Sequence, residues 1–234
     1  MGSSEKHPVY DAEEWGDLAY QAECDHPGRP LLITFGGLRG VVGMPGYEFK
    51  RTLEGLDCNR LLVRDLSQAW YQGELPGFGA GVRALEDGVR QQVEEIDPSR
   101  VVCIGNSMGG YAALVVGSFL GADEVIAFAP VTFITRWLRF RHLERRWGDV
   151  VKHSRRQETA QPETFDLRSY LQDPGWKKAT VFADLTHRSD NAYARHVAGL
   201  PRLTVEDRPG GHKLAKGLRD SGELSEILKR SISG

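Results

Sequence analysis

The run Gly105-Asn106-Ser107-Met108-Gly109 sets a serine between two glycines. It follows the apolar stretch Val101-Val102-Cys103-Ile104 and leads directly into Tyr111-Ala112-Ala113-Leu114-Val115-Val116. A buried strand, a sharp bend and a helix are compressed into one segment, which is the geometry of a nucleophile elbow. A non-glycine residue held in a strained bend needs neighbours with almost no side chain, and Gly105 and Gly109 supply them. The Ser107 hydroxyl is then expected to project from the sheet tip. The backbone N–H of Met108, opening the next helix, points to where an oxyanion would form.

A serine hydroxyl is a poor nucleophile near neutral pH, so it needs a base within hydrogen-bond reach and a group that orients that base. Of the seven histidines, His212 is the best placed. It ends the turn Pro209-Gly210-Gly211-His212 after a strand-like run, Leu203-Thr204-Val205-Glu206, and glycines let such a loop fold back over the sheet tip. For the acid, Asp184 and Asp190 compete. Asp184 directly ends the run Ala179–Ala183, where a residue is often committed to the turn. Asp190 lies in the loop beyond, with room to reach His212, and is the preferred candidate. It is also placed to cap the helix that starts at Asn191.

The chain order Ser107, Asp190, His212 resembles that of the α/β-hydrolase superfamily and differs from the chymotrypsin-like and subtilisin-like orders. The elbow, the glycine loop Phe35-Gly36-Gly37-Leu38 and Gly210-Gly211-His212 carry the resemblance, which runs from about residue 30 to the C-terminus. In that superfamily the loop after an early strand gives the second oxyanion-hole N–H, often as His-Gly-X. Here Phe35 stands in place of the histidine. The resemblance points to Gly37 as first choice for the donor and Leu38 as second.

The elements that must position these residues are short apolar runs separated by helical stretches: 31–35, 60–64, 101–104, 124–128, 179–183 and 202–206. Uninterrupted apolar character marks strands covered on both faces. Val82, Leu85, Val89, Val93 and Ile96 recur at helical spacing up to Asp97-Pro98, and the segment from Tyr111 to Leu120 reads as a helix apolar nearly all round. Asp17 to Cys24 is a candidate antiparallel edge strand. The expected fold is α/β: a mostly parallel central sheet with helices on both faces, in a single domain over 1–234.

The alternation breaks between Pro130 and Trp176, where aromatic residues and arginines are dense. Residues 131–176 are expected to form a helical cap or lid. Between 131 and 160 there are eight Lys/Arg against three Asp/Glu, so Arg136 and Arg139 are candidate contacts for an anionic part of a substrate. A cationic helix face turned to water gives the same count. Strand-to-helix loops of a parallel sheet collect at one end, which makes Trp70 and Tyr71, after Arg64-Asp65, candidates for a pocket wall. Packing beneath a loop accounts for them equally well.

Composition is that of an ordinary globular chain: 234 residues, 40% hydrophobic, 26% charged, formal net charge −2. That balance argues against a dedicated nucleic-acid binder. No apolar run approaches the ~20 residues of a membrane span, and Met1 to Pro8 lacks the apolar core of a signal peptide. Cys24, Cys58 and Cys103 are widely spaced, which suggests neither a disulfide framework nor a metal site and fits a reducing cytoplasm. The expected chemistry is ester or thioester cleavage, or acyl transfer, on a small-molecule acyl substrate. An anionic or carrier-bound substrate is among the candidates, and no metal or organic cofactor is required. Two rivals are proton transfer by His212 in an elimination, cyclisation or isomerisation, and a non-catalytic accessory protein on the same fold. Neither a nucleic-acid nor a membrane partner is expected, and the sequence leaves the oligomeric state open.

Overall fold

The computed structural model describes residues 18–24, 26–38 and 47–234. Asp17 and Met1 to Pro8 lie outside the described residues. The strands in chain order are β1 (Tyr20–Glu23), β2 (Leu31–Phe35), β3 (Asn59–Val63), β4 (Glu74–Leu75), β5 (Gly79–Ala80), β6 (Val101–Asn106), β7 (Glu124–Phe128), β8 (Ala179–Ala183) and β9 (Leu203–Asp207). The helices are α1 (Lys50–Leu53), α2 (Gly81–Ile96), α3 (Met108–Leu120), α4 (Arg136–Arg141), α5 (Gly148–Ser154), α6 (Leu167–Tyr170), α7 (Arg188–Val197), α8 (Leu214–Asp220) and α9 (Glu223–Ser233).

Seven strands form one sheet in the order β1-β3-β2-β6-β7-β8-β9, and β4 and β5 make a separate small hairpin. Only the pairing of β1 with β3 is antiparallel within the large sheet; β3, β2, β6, β7, β8 and β9 run parallel. Successive side chains of each strand point to opposite faces, and both faces are covered. On one side Leu31, Ile33, Phe35, Leu61, Val63 and Cys103 pack with Val82, Leu85 and Val89 of α2 and the buried length of α3. On the other, Leu32, Leu62, Val102, Ile104, Ile126 and Phe128 pack with Leu53 of α1, Leu214 and Leu218 of α8, and Leu224 and Leu228 of α9.

The chain leaves β2 for β3 on one side and later enters β6 on the other, so β2 and β6 are neighbours whose exits diverge. Phe35 pairs with Gly105, and the loop after β2 and the bend after β6 therefore open beside each other. A crevice at such a switch point is where an open parallel sheet binds ligands.

Residues 131–176 hold α4, α5, α6 and a 3-10 turn at Pro162–Phe165, and add no strand to the sheet beyond an isolated bridge between Phe133 and Asp166. Much of the segment is anchored in the main core. Phe133, Leu167 and Trp176 are buried, whereas Trp137, Phe140 and Leu143 are exposed.

Candidate active site

Ser107 closes β6 and caps α3 with φ 55° and ψ −115°, outside the regions a non-glycine residue normally occupies. Its neighbours explain how the chain tolerates this. A Cβ on Gly105 would overlap the carbonyl of Gly109, and one on Gly109 would overlap the carbonyl of Phe35. Backbone cannot yield cheaply, so the two glycines let the bend pack directly on β2. Ser107 N–H donates to the Phe128 carbonyl at 2.8 Å, tying the bend to β7 as well.

The histidine arrives from the far edge. β9 ends at Asp207, and Gly210 (φ 129°) and Gly211 (φ 58°) turn the chain into a 3-10 turn over Gly211–Lys213. His212 Nε2 lies 2.8 Å from Ser107 Oγ, and His212 Nδ1 lies 3.0 Å from Asp190 Oδ1. Asp190 is in the first turn of α7 with its carboxylate buried. The cap of that helix is His187, whose Nδ1 accepts the Asp190 N–H at 3.4 Å. The same nitrogen lies 3.0 Å from Asp190 Oδ2, which has no hydrogen-bond partner among the described residues.

Asp184 is spent on the loop. Its Oδ1 accepts from Thr186 N–H and O–H at 2.9 and 2.5 Å, and its Oδ2 from the N–H groups of Gly210 and Gly211 at 3.0 and 2.8 Å. The Thr186 hydroxyl first, and then the Gly211 N–H, hold its carboxyl well below the usual carboxylate range. One aspartate faces the imidazole, and the other holds the turn that carries it.

Residues that sequence reasoning did not reach complete the surroundings. Trp147 lays its ring 4.9 Å from that of His212 and 6.3 Å from that of Trp70. Arg146 stacks over Trp147 at 4.5 Å, grips the buried Glu144 with bonds of 2.8 and 3.1 Å, and brings Nη2 to 3.6 Å from Asp190 Oδ1. Burial alone would raise the Glu144 carboxyl, but its bonds to Arg146 outweigh burial and hold it below the ordinary value.

The oxyanion side departs from expectation. The N–H of Met108 has no acceptor among the described residues. Gly37 N–H, the first choice for the second donor, instead donates to Oε2 of the buried Glu48 at 2.8 Å. The N–H of Leu38, the second choice, has no acceptor among the described residues. Burial pushes the Glu48 carboxyl up to about 8 against the opposing bonds from Gly37 and Asn106 and the more distant charge of Arg219. Its proton is therefore held to higher pH than that of an ordinary carboxyl.

A cavity of about 650 Å³ opens here, with Ser107, His212, Gly37, Leu38, Glu48 and Trp147 in its wall. Trp70 and Tyr71 do not line it. Both have positive φ (52° and 58°) and are fully buried, because Asp65 Oδ2 accepts the N–H groups of Ala69 and Tyr71 at 2.7 and 2.8 Å and turns the loop inward. Tyr71 still bears on the site, since its hydroxyl donates to the Gly36 carbonyl at 2.8 Å and braces the glycine loop from below. Arg136 and Arg139 also stand away from the cavity wall. Arg136 is exposed, while Arg139 is buried with Nη2 donating to the Arg146 carbonyl at 2.7 Å. Its length is taken up bracing the segment before Trp147.

Residues 42–222 match the sequence model of the Alpha/beta hydrolase family. The chain belongs to that family. Solved structures share the fold at low identity. A capsule O-acetyltransferase variant of Neisseria meningitidis serogroup A in complex with CoA has a TM-score of 0.64 and 14% identity, over 91% of this chain and 90% of that one. Acetyl xylan esterase 1 from Thermoanaerobacterium sp. gives 0.57 and 15%, over 89% and 78%. The fluorophosphonate-binding serine hydrolase F of Staphylococcus aureus gives 0.54 and 16%, over 88% and 83%. No curated protein matches the sequence. Among the described residues of this α/β hydrolase, no helix is long and apolar enough to cross a membrane, and no group of His, Cys, Asp and Glu is arranged to hold a metal ion.

Proposed function

We propose that this α/β hydrolase is a serine esterase, thioesterase or acyltransferase working through an acyl-enzyme. The observation that carries the reading is the continuous relay of Ser107 Oγ to His212 Nε2 at 2.8 Å and His212 Nδ1 to Asp190 Oδ1 at 3.0 Å. Ser107 Oγ attacks the acyl carbon as His212 Nε2 takes its proton. The carbonyl electron pair moves to an oxyanion facing the N–H groups of Met108 and Leu38. Collapse expels the alcohol or thiol, which takes the proton back from His212. Water or an acceptor hydroxyl then attacks the acyl-serine, and His212 serves first as base and then as acid. Asp190 keeps the Nδ1 proton in place and stabilises the imidazolium.

The family membership, and an acetyltransferase and an acetyl esterase among the fold neighbours, support acyl chemistry without resolving hydrolysis from transfer. A fluorophosphonate probe tests the reading. Wild type should be labelled and should hydrolyse p-nitrophenyl acetate, and Ser107→Ala should lose both while melting at the wild-type temperature. A folded Ser107→Ala protein with near wild-type turnover would refute the acyl-enzyme. It would favour His212 acting as a proton-transfer base.

A further inference from the structure

The cavity holding Ser107 and His212 is bordered by cations from two directions. Lys50 and Arg51 come from α1, Lys213 from the turn beside His212, and Lys216 and Arg219 from α8. Carboxylates answer only part of this charge. Asp220 takes both Lys216 and Arg219, the latter at 3.3 Å, and Glu23 lies 3.7 Å from Lys50. Arg51 and Lys213 pair with no carboxylate among the described residues. Five cations thus meet two carboxylates around one opening. The only acidic residue in the described wall of the cavity is Glu48, buried and engaged by the Gly37 N–H. Phe49, Ala215 and Leu224 add apolar surface to the same wall.

We infer that the acyl substrate carries a polyanionic, phosphate-bearing group away from the scissile carbonyl, and that Lys50, Arg51, Lys213, Lys216 and Arg219 hold it at the cavity mouth. The inference rests on the acyl-transfer reading of Ser107 for the position of the carbonyl. A single carboxylate would occupy one or two of these side chains and leave the others repelling one another. A phosphate or diphosphate presents enough oxygens to reach several, with the Arg51 fork able to take two oxygens at once. The surplus of charge around a low-dielectric opening also draws anions in from solution. The anion contacts expected from Arg136 and Arg139 therefore fall to α1 and α8.

Isothermal titration of the folded protein with inorganic pyrophosphate tests this without relying on turnover. Pyrophosphate should bind wild type, compete with fluorophosphonate labelling of Ser107, and bind at least about tenfold more weakly to the Arg51→Ala/Lys213→Ala double variant, since each removed cation deletes a charge-assisted contact. Sodium acetate should bind far more weakly than pyrophosphate. Added salt should weaken the pyrophosphate contact in wild type more than in the double variant. Equal affinity for acetate and pyrophosphate, or unchanged pyrophosphate affinity in a double variant that melts like wild type, would overturn the phosphate assignment. If Ser107 took no label even without pyrophosphate, the acyl-enzyme reading would fall, while the titration would still judge the cationic rim.

Discussion

Replacing Glu48 with glutamine keeps the side-chain shape and an acceptor for Gly37 N–H but removes the proton equilibrium. In the wild-type protein the carboxyl moves from an ordinary 4.5 to about 8 on folding, with burial as the main cause. The folded state therefore binds more protons than the unfolded chain between these values. The stabilising contribution is complete below about pH 4.5 and is lost as pH rises through 8. With 1.36 kcal/mol per unit, a difference of 3.5 (8 minus 4.5) corresponds to about 5 kcal/mol of stability lost across that window. Glu48→Gln carries none of this dependence. Urea unfolding of both proteins at pH 5, 7 and 9 should show the variant gaining on wild type by several kcal/mol from the lowest to the highest pH. The same substitution reads out in catalysis, because ionised Glu48 puts a negative charge beside the loop proposed to face the oxyanion. Wild-type kcat/KM should fall above about pH 8 and that limb should vanish in the variant. Parallel stability curves for the two proteins would show that Glu48 is ionised at neutral pH and refute the reasoning.

The two aspartates should separate cleanly. Asp190→Asn should lower kcat by about a thousandfold or more with little change in melting temperature, because the imidazole tautomer is no longer enforced. Asp184→Asn should chiefly lower the melting temperature, because its amide turns an N–H toward donors that need an acceptor; the opposite ranking in paired kinetics and melts would exchange their roles. Gly109→Ala should cost about 3 kcal/mol or more in urea unfolding, since its methyl would overlap the Phe35 carbonyl, and a change within about 0.5 kcal/mol would mean the elbow is not packed on β2.

Much of the frame was legible because buried parallel strands are written as apolar runs. The runs at 31–35, 124–128 and 179–183 coincide with β2, β7 and β8. The run read as 60–64 begins one residue earlier, at Asn59, a polar side chain that is fully buried because its amide donates to the His26 carbonyl at 2.7 Å. Ser107 and His212, which the structure brings to 2.8 Å, stood out because glycine spacing and strand ends are local features, whereas Asp190, 3.0 Å from His212, was preferred to the strand-end Asp184 on loop reach. Glu48 could not be picked out, since its burial depends on a contact with Gly37, and Tyr47-Glu48-Phe49 hints only at an apolar setting. The loop after β3 was placed at the correct end of the sheet, but which way Trp70 and Tyr71 turn was decided by Asp65 through backbone bonds that no periodicity encodes. For Arg136 and Arg139, charge count alone did not distinguish a ligand contact from a solvated side chain or an internal brace.

The Trp147 ring, 4.9 Å from the imidazole of His212, gives the protein an optical reporter of its own chemistry. A protonated imidazole is a far better quencher of indole emission than a neutral one. The difference in fluorescence between wild type and Trp147→Phe therefore isolates one chromophore among five tryptophans and follows the charge on His212 directly. Mixed rapidly with an activated ester, that signal would, on the proposed acyl-enzyme route, dim while imidazolium is present and recover as the proton leaves, which times the proposed steps at Ser107 without a labelled substrate.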